Sequence, residues 1–210
     1  MSNPLMAVFG GTFDPFHRTH EWLCQTVLAN PEVRQLRLVP CQLPALKAAA
    51  QASPEDRLAM LQAWAQTQDE ADRLVIDRRE LDRPGPSYSR DTLTALQQEY
   101  PNWRRVFVMG ADAFASLARW DGVDDLIRCS HFWVFPRGND PITVPALPLR
   151  QVEHLSQLDL TGGAWLAGPA TGSDLSSTSL RRGRLDWQAE LPAPIYHYIK
   201  TAGLYRPSFH

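Results

Sequence analysis

The segment GGTFDPFHRTH, residues 10–20, concentrates groups suited to holding phosphate. Two glycines, Gly10 and Gly11, follow the apolar run Leu5–Phe9, which reads as a first strand. Glycine there allows a tight turn and lets a phosphate approach bare main-chain N–H groups. Asp14-Pro15 marks a turn, so a helix is expected to begin near Phe16 or His17. His17 and His20 are three apart and share one face of that helix's first turn. Hydrogen-bonding or cationic groups at a helix N-terminus can stabilise charge that develops on a polyphosphate. The spacing matches neither a P-loop nor a dinucleotide-binding fingerprint. Two other readings stand beside phosphate binding. The histidines can be a satisfied structural pair, or, with Cys24 four residues on, the H-x-x-H-x-x-x-C pattern can ligate zinc. No further ligand cluster lies near it, and cysteine in such a helix is ordinarily a small core residue.

A second constellation, SSTSLRRG at residues 176–183, looks like a helix start. Ser176, Ser177 and Thr178 can cap it and offer hydroxyls, and Arg181 can fold over the same end. Hydroxyls, free N–H groups, a positive helix end and a guanidinium suit a triphosphate. The competing reading is an ordinary capped helix with solvated arginines.

Positioning these groups requires a scaffold, and the chain alternates short apolar runs with helical stretches. Strands are expected at Leu5–Phe9, Gln35–Val39, Leu74–Ile76, Arg105–Met109, Phe132–Phe135 and Ala164–Ala167. Helices are expected at His17–Ala29, Pro54–Thr67, Ser89–Tyr100, Ala113–Leu117, Val123–Ile127, Ser177–Arg182 and Pro192–Ala202. Ser53-Pro54-Glu55 and Gly203 supply a helix start and stop. Continuous apolar strands between helices imply an α/β fold with a mainly parallel sheet. Most of Pro136–Gly172, rich in Pro and Gly, reads as surface loop between the last two strands, with the chain returning to the sheet at Ala164.

Composition sets the bounds. The chain has 210 residues, 44% of them apolar, enough for a sizeable core in one domain. Lys plus Arg number 21 and Asp plus Glu 23, a formal net charge of −2, which argues against a nucleic-acid binder. No apolar run reaches the ~18 residues of a membrane helix, and no signal peptide is visible at MSNPLMAVFGG. Three scattered cysteines, Cys24, Cys41 and Cys129, indicate no disulfide framework and suit the cytoplasm. Oligomeric state is left open, a homo-oligomer included.

Taken together, GGTFDPFHRTH and SSTSLRRG resemble the motifs of the HxGH-type nucleotidylyltransferases. More closely, the chain resembles the bacterial nicotinate mononucleotide adenylyltransferases over nearly its whole length. LVPCQLPALK, DRRELDRPGPSYSRDTL, VFVMGADAFASLARW, FWVFPRG and IYHYIKTAGLY carry the likeness in order. The resemblance implies a Rossmann-like sheet flanked by helices, with a small helical C-terminal piece at about residues 174–210. It implies ATP and nicotinate mononucleotide as substrates, deamido-NAD and pyrophosphate as products, and Mg²⁺. The mononucleotide phosphate is already ionised at neutral pH, so positioning and charge stabilisation replace a general base. By position, Gly10, Gly11, Thr12 and Phe13 would line the phosphate turn, and His17 and His20 would contact the ATP phosphates. Lys47 would add charge, and Ser176, Thr178 and Arg181 would hold the β and γ phosphates. Gly110 and Asp112 would meet the ATP ribose, with Arg137 near the adenosine. Ser87, Tyr88, Ser89 and Trp120 would hold the nicotinate ring.

Three residues depart from the family pattern. Thr19 replaces the glycine between the histidines, Leu46 replaces a histidine before Lys47, and Asp121 replaces an aromatic after Trp120. A carboxylate at 121 would repel a nicotinate carboxylate if both were desolvated. That leaves the amide mononucleotide as an alternative acceptor, and a poorly catalytic nucleotide-binding relative as a further reading.

Overall fold

The computed structural model describes residues 3–44, 49–138, 141–173, 175–183 and 186–205. Among them the central sheet has seven strands, all parallel: β1 (Leu5–Gly11), β2 (Val33–Pro40), β4 (Leu74–Ile76), β6 (Arg104–Gly110), β7 (His131–Phe135), β8 (Arg150–Gln151) and β9 (Ala164–Ala167). Their order is β4-β2-β1-β6-β7-β9-β8. The chain thus moves outward from β1 in one direction and then, from β6, in the other. The crevice between the carboxyl ends of β1 and β6 is the switch point where open α/β sheets bind ligands.

Alternation along β1 shows why this strand reads as a continuous apolar run. Leu5, Ala7 and Phe9 join a core on one face, while Met6 and Val8 join the core on the other. The first face is covered by α1 (Arg18–Leu28), α2 (Pro54–Ala65) and α8 (Ala193–Ala202). The second lies under α3 (Ser89–Glu99), α4 (Ala111–Ala115) and α5 (Val123–Cys129). The short helices α6 (Ser177–Arg182) and α7 (Trp187–Glu190) contribute Leu180 and Trp187 to the first core.

Local signals act as the residue types dictate. Ser53 Oγ accepts from the Asp56 N–H with Pro54 in the first turn, and Gly203 ends α8 at a left-handed φ of 65°. Ser89 lies inside its helix, after an N-cap at Tyr88. The two-residue strands were not legible. Leu43–Pro44 (β3) and Pro86–Ser87 (β5) form a separate two-stranded parallel pair. The Pro136–Gly172 segment is not loop throughout: β8 adds an edge strand beside β9, and Leu155–Gln157 makes a turn of 3₁₀ helix.

Candidate active site

The two constellations, about 160 residues apart in sequence, meet at the carboxyl end of β1. Ser177 Oγ donates to the Pro15 carbonyl at 2.9 Å. Arg181 Nη1 reaches the Asp14 backbone carbonyl and stands 3.3 Å from the Asp14 carboxylate. Ser176 caps α6, its Oγ accepting from the Ser179 N–H at 3.0 Å. Arg181 Nη2 lies 3.5 Å from Thr178 Oγ1, which sets the guanidinium over the helix start as the spacing predicted.

The glycines do not form the turn. Gly10 and Gly11 are the last residues of β1, paired with Val39 and Pro40 of β2. The left-handed conformation falls on Phe13 instead, at φ 50°. Gly11 is required for closeness: a Cβ there would stand 2.7 Å from the Phe13 ring. Phe13 is itself buried against Phe9, Phe16 and His20, so only its backbone can line a ligand. Below the turn lies Arg57, fully buried, donating to the carbonyls of Thr12 at 2.8 Å and Gln42 at 3.3 Å. A lone arginine in a helix gave no sign of this role.

His17 is the N-cap of α1 and His20 its third residue, and their rings stack at 3.7 Å. His20 Nδ1 accepts from the His17 backbone N–H at 3.2 Å, which places the ring proton on Nε2. The His17 side chain turns reciprocally toward the His20 amide, its Nδ1 buried without a full hydrogen bond. Burial, with the Arg137 charge nearby, lowers the His17 pKa to about 3. His17 is therefore a neutral imidazole at neutral pH. Zinc is not supported: Cys24 is fully buried, and burial with the Glu21 charge raises its thiol away from the thiolate a metal needs. Thr19 sits in the first helical turn with its hydroxyl oxygen buried.

The His17 shift makes a pH prediction. The folded pKa is depressed, so between pH 6.5 and 3 the unfolded chain binds a proton that the native one refuses. The resulting stability is present above pH 6.5 and is lost as pH falls. It should amount to about 2 kcal/mol between pH 7 and pH 5. Denaturant unfolding of wild type and His17→Gln at both pH values measures it. The variant should lose that share of the decline, and equal declines in both proteins would refute the assignment.

On the other side of the crevice, Gly110 ends β6 and caps α4, which carries Asp112. Asp112 Oδ2 stands 3.6 Å from Arg137 Nε, so the residues after β6 and β7 meet in one ion pair at the rim. Lys47 and Leu46 lie outside the described residues. Ser87 Oγ accepts from the Gln42 N–H at 3.0 Å, joining the loops after β2 and β4. Glu80, buried beneath them, accepts from Thr92 and hydrogen-bonds Ser87; burial raises its carboxyl. Trp120 is half-buried, its ring edge-on to Phe107 at 6.2 Å and its Nε1 donating to Ser116.

Asp121 is not a bare charge. Arg90 Nη1 pairs with it at 2.8 Å while the Arg90 guanidinium lies 5.5 Å over the Tyr88 ring. That contact joins the start of α3 to the turn after Trp120 and offsets part of the repulsion expected from the sequence.

The strand order and the two motifs beside its switch point place the chain among open α/β folds that bind ligands at that crevice. The chain belongs to the cytidylyltransferase-like family, whose family model matches residues 8–183. It is 34% identical over 214 residues to the probable nicotinate-nucleotide adenylyltransferase of Aeromonas salmonicida, covering 96% of this chain and 97% of that protein. To the probable nicotinate-nucleotide adenylyltransferase of Pseudoalteromonas atlantica it is 33% identical, covering 98% and 96%. Its fold is similar to that of Plasmodium falciparum nicotinic acid mononucleotide adenylyltransferase complexed with NaAD. The TM-score is 0.74 at 16% identity, covering 95% of this chain and 96% of that one.

Proposed function

We infer that the protein transfers the adenylyl group of ATP to nicotinate mononucleotide, giving deamido-NAD and pyrophosphate in NAD biosynthesis. The observation that carries this reading is the meeting of the His17/His20 helix start with the Ser176–Arg181 helix start at the β1–β6 crevice. Two stacked imidazoles, a guanidinium and two helix starts converge where an anion of several charges would lie.

The acceptor's phosphate oxygen attacks the α-phosphorus, and the bond from that phosphorus to the bridging oxygen of pyrophosphate breaks. The neutral His17 imidazole suits this step because it donates a hydrogen bond to the growing negative charge without losing its proton. Arg181, with Ser176 and Thr178, takes the β and γ phosphates. Lys47 adds charge to the transferring group. Gly10, Gly11, Thr12 and the Phe13 backbone line the turn. Asp112 and Gly110 face the ATP ribose, and Arg137 the adenosine. Ser87, Tyr88, Ser89 and Trp120 receive the nicotinate ring. The whole chain acts as one nucleotidyltransferase unit, with about residues 174–210 as its helical C-terminal piece. Free, buried cysteines suit a cytoplasmic location.

Mg²⁺ belongs to this reading as the counter-ion of ATP. Among the described residues no group of three or more His, Cys, Asp or Glu could hold a metal ion. Both Asp14 oxygens already accept hydrogen bonds. That donor set fits a cation held by the triphosphate itself, where it neutralises phosphate charge.

The direct test incubates the protein with ATP, Mg²⁺ and either the acid or the amide mononucleotide, and identifies the product by mass. Deamido-NAD from the acid is expected; product from the amide alone would move the acceptor assignment. Because Arg90 offsets Asp121, Asp121→Asn should shift the acid-to-amide ratio of kcat/KM toward the acid by only about two- to fivefold. A shift beyond about 50-fold would mean that Asp121 faces the acceptor unshielded.

A further inference from the structure

Two non-glycine residues hold a positive φ among the described residues, Phe13 at 50° and Tyr205 at 57°. Bulky side chains adopt this conformation at a cost, so the surrounding structure must enforce it. The two are far apart in sequence and converge on one group, the Asp14 side chain. Phe13 directly precedes it, and the Tyr205 hydroxyl donates to Asp14 Oδ1 at 2.7 Å.

Asp14 is 2% exposed and saturated. Its Oδ1 also accepts from the Ala52 N–H at 3.0 Å, and its Oδ2 accepts from the Gln51 N–H at 2.9 Å. Arg181 Nη1 completes the set, 3.3 Å from Oδ2 and bonded to the Asp14 backbone carbonyl. One carboxylate therefore ties the phosphate turn, the chain beyond Lys47, α6 and the segment after α8. The Tyr205 hydroxyl keeps its proton, since burial and the Asp14 charge both raise its pKa. Left-handed Gly203 ends α8 and turns the chain back, and the Tyr205 ring packs on Trp187 at 5.5 Å. Packing on Trp187 covers the ring without calling on the hydroxyl. The hydroxyl is aimed instead at the carboxylate that orients Arg181.

We propose that Tyr205 and Asp14 are positioning residues for the triphosphate clamp, Tyr205 holding the Asp14 carboxylate and Asp14 aiming the Arg181 guanidinium. This rests on the adenylyltransferase reading of the site. Neither residue touches the reacting atoms. They act by keeping one guanidinium nitrogen occupied, so that the remaining donors of the fork face one direction before ATP arrives. A guanidinium free to rotate would bind the same phosphates with an added ordering cost.

Tyr205→Phe isolates the hydroxyl, because the ring and its packing on Trp187 are retained. Steady-state kinetics with each substrate varied, calorimetric titration with ATP and thermal unfolding are measured on the full chain. We expect the KM and Kd for ATP to rise about 5- to 20-fold, from loss of one hydrogen bond to a charged group. The KM for the mononucleotide should stay within about twofold, and Tm should fall by less than about 4 °C. In an Arg181→Ala background the same change should have no further effect on ATP affinity. Equal rises in both KM values, an unchanged ATP affinity, or an undiminished effect without Arg181 would each overturn the proposal. Should the wild type make no dinucleotide, the adenylyltransferase reading fails, and the ATP titrations alone still decide whether Tyr205 acts through Arg181.

Discussion

His20→Ala is expected to lower kcat by about 10²- to 10³-fold while the KM for ATP moves less than about fivefold. The expectation follows from where the ring sits. Its Nδ1 accepts from the His17 backbone N–H, which fixes the ring's orientation at the helix start. Phe13, Phe16 and the stacked His17 hold the ring in place at 5.3, 5.3 and 3.7 Å. A donor so fixed needs no reorganisation as charge grows on the α-phosphate, and it contributes more to the transition state than to bound ATP. Removing it should therefore act mainly on turnover. The ring is half-buried, so the same variant should also lose a few degrees of Tm, about 2–5 °C. Steady-state kinetics below the shifted Tm separates the two effects. Turnover within about threefold of wild type would remove His20 from the mechanism.

Arg181→Ala should reduce kcat/KM for ATP by about 10²-fold, with the KM for the mononucleotide changed by less than about threefold. Arg181→Lys should recover less than a tenth of the loss. A lysine restores the charge but not the planar fork, and the fork is what allows one nitrogen to hold Asp14 while others meet phosphate. The alanine variant also leaves Asp14 buried without its cation. The N–H groups of Gln51 and Ala52 and the Tyr205 hydroxyl remain, which limits the stability cost to about 1–2 kcal/mol. Raising ionic strength should weaken ATP binding to wild type more than to Arg181→Ala, because one phosphate-directed charge is missing from the variant. Full recovery by lysine would show that Arg181 acts only as a point charge.

Legibility in the sequence tracked the range of the interaction. The β1 run Leu5–Phe9, the Ser53-Pro54 helix start, the α6 segment Ser177–Arg182 and the Gly203 stop all follow from residue types within a few positions. Each appears where those types place it. The family motifs were legible for the same reason, as was the placement of the first motif at a strand end. Boundaries shifted by a residue or two, as with α1, expected over His17–Ala29 and observed over Arg18–Leu28.

The amino-acid sequence by itself thus determined the α/β class, the family and the inventory of phosphate-directed groups. These depend on periodicity, capping chemistry and motif spacing, which are local properties. The tertiary structure alone decided how that inventory is wired. It put the left-handed turn on Phe13 rather than on a glycine, because Gly11 is consumed in β1 and must make room for the Phe13 ring. It kept His17 neutral by burying it. It set Arg90 against Asp121, and brought Arg57 under Thr12 and Tyr205 onto Asp14. A buried arginine or a terminal tyrosine carries no local signature of its partner. Burial, pairing and pKa belong to groups that only the folded chain brings within a few ångströms.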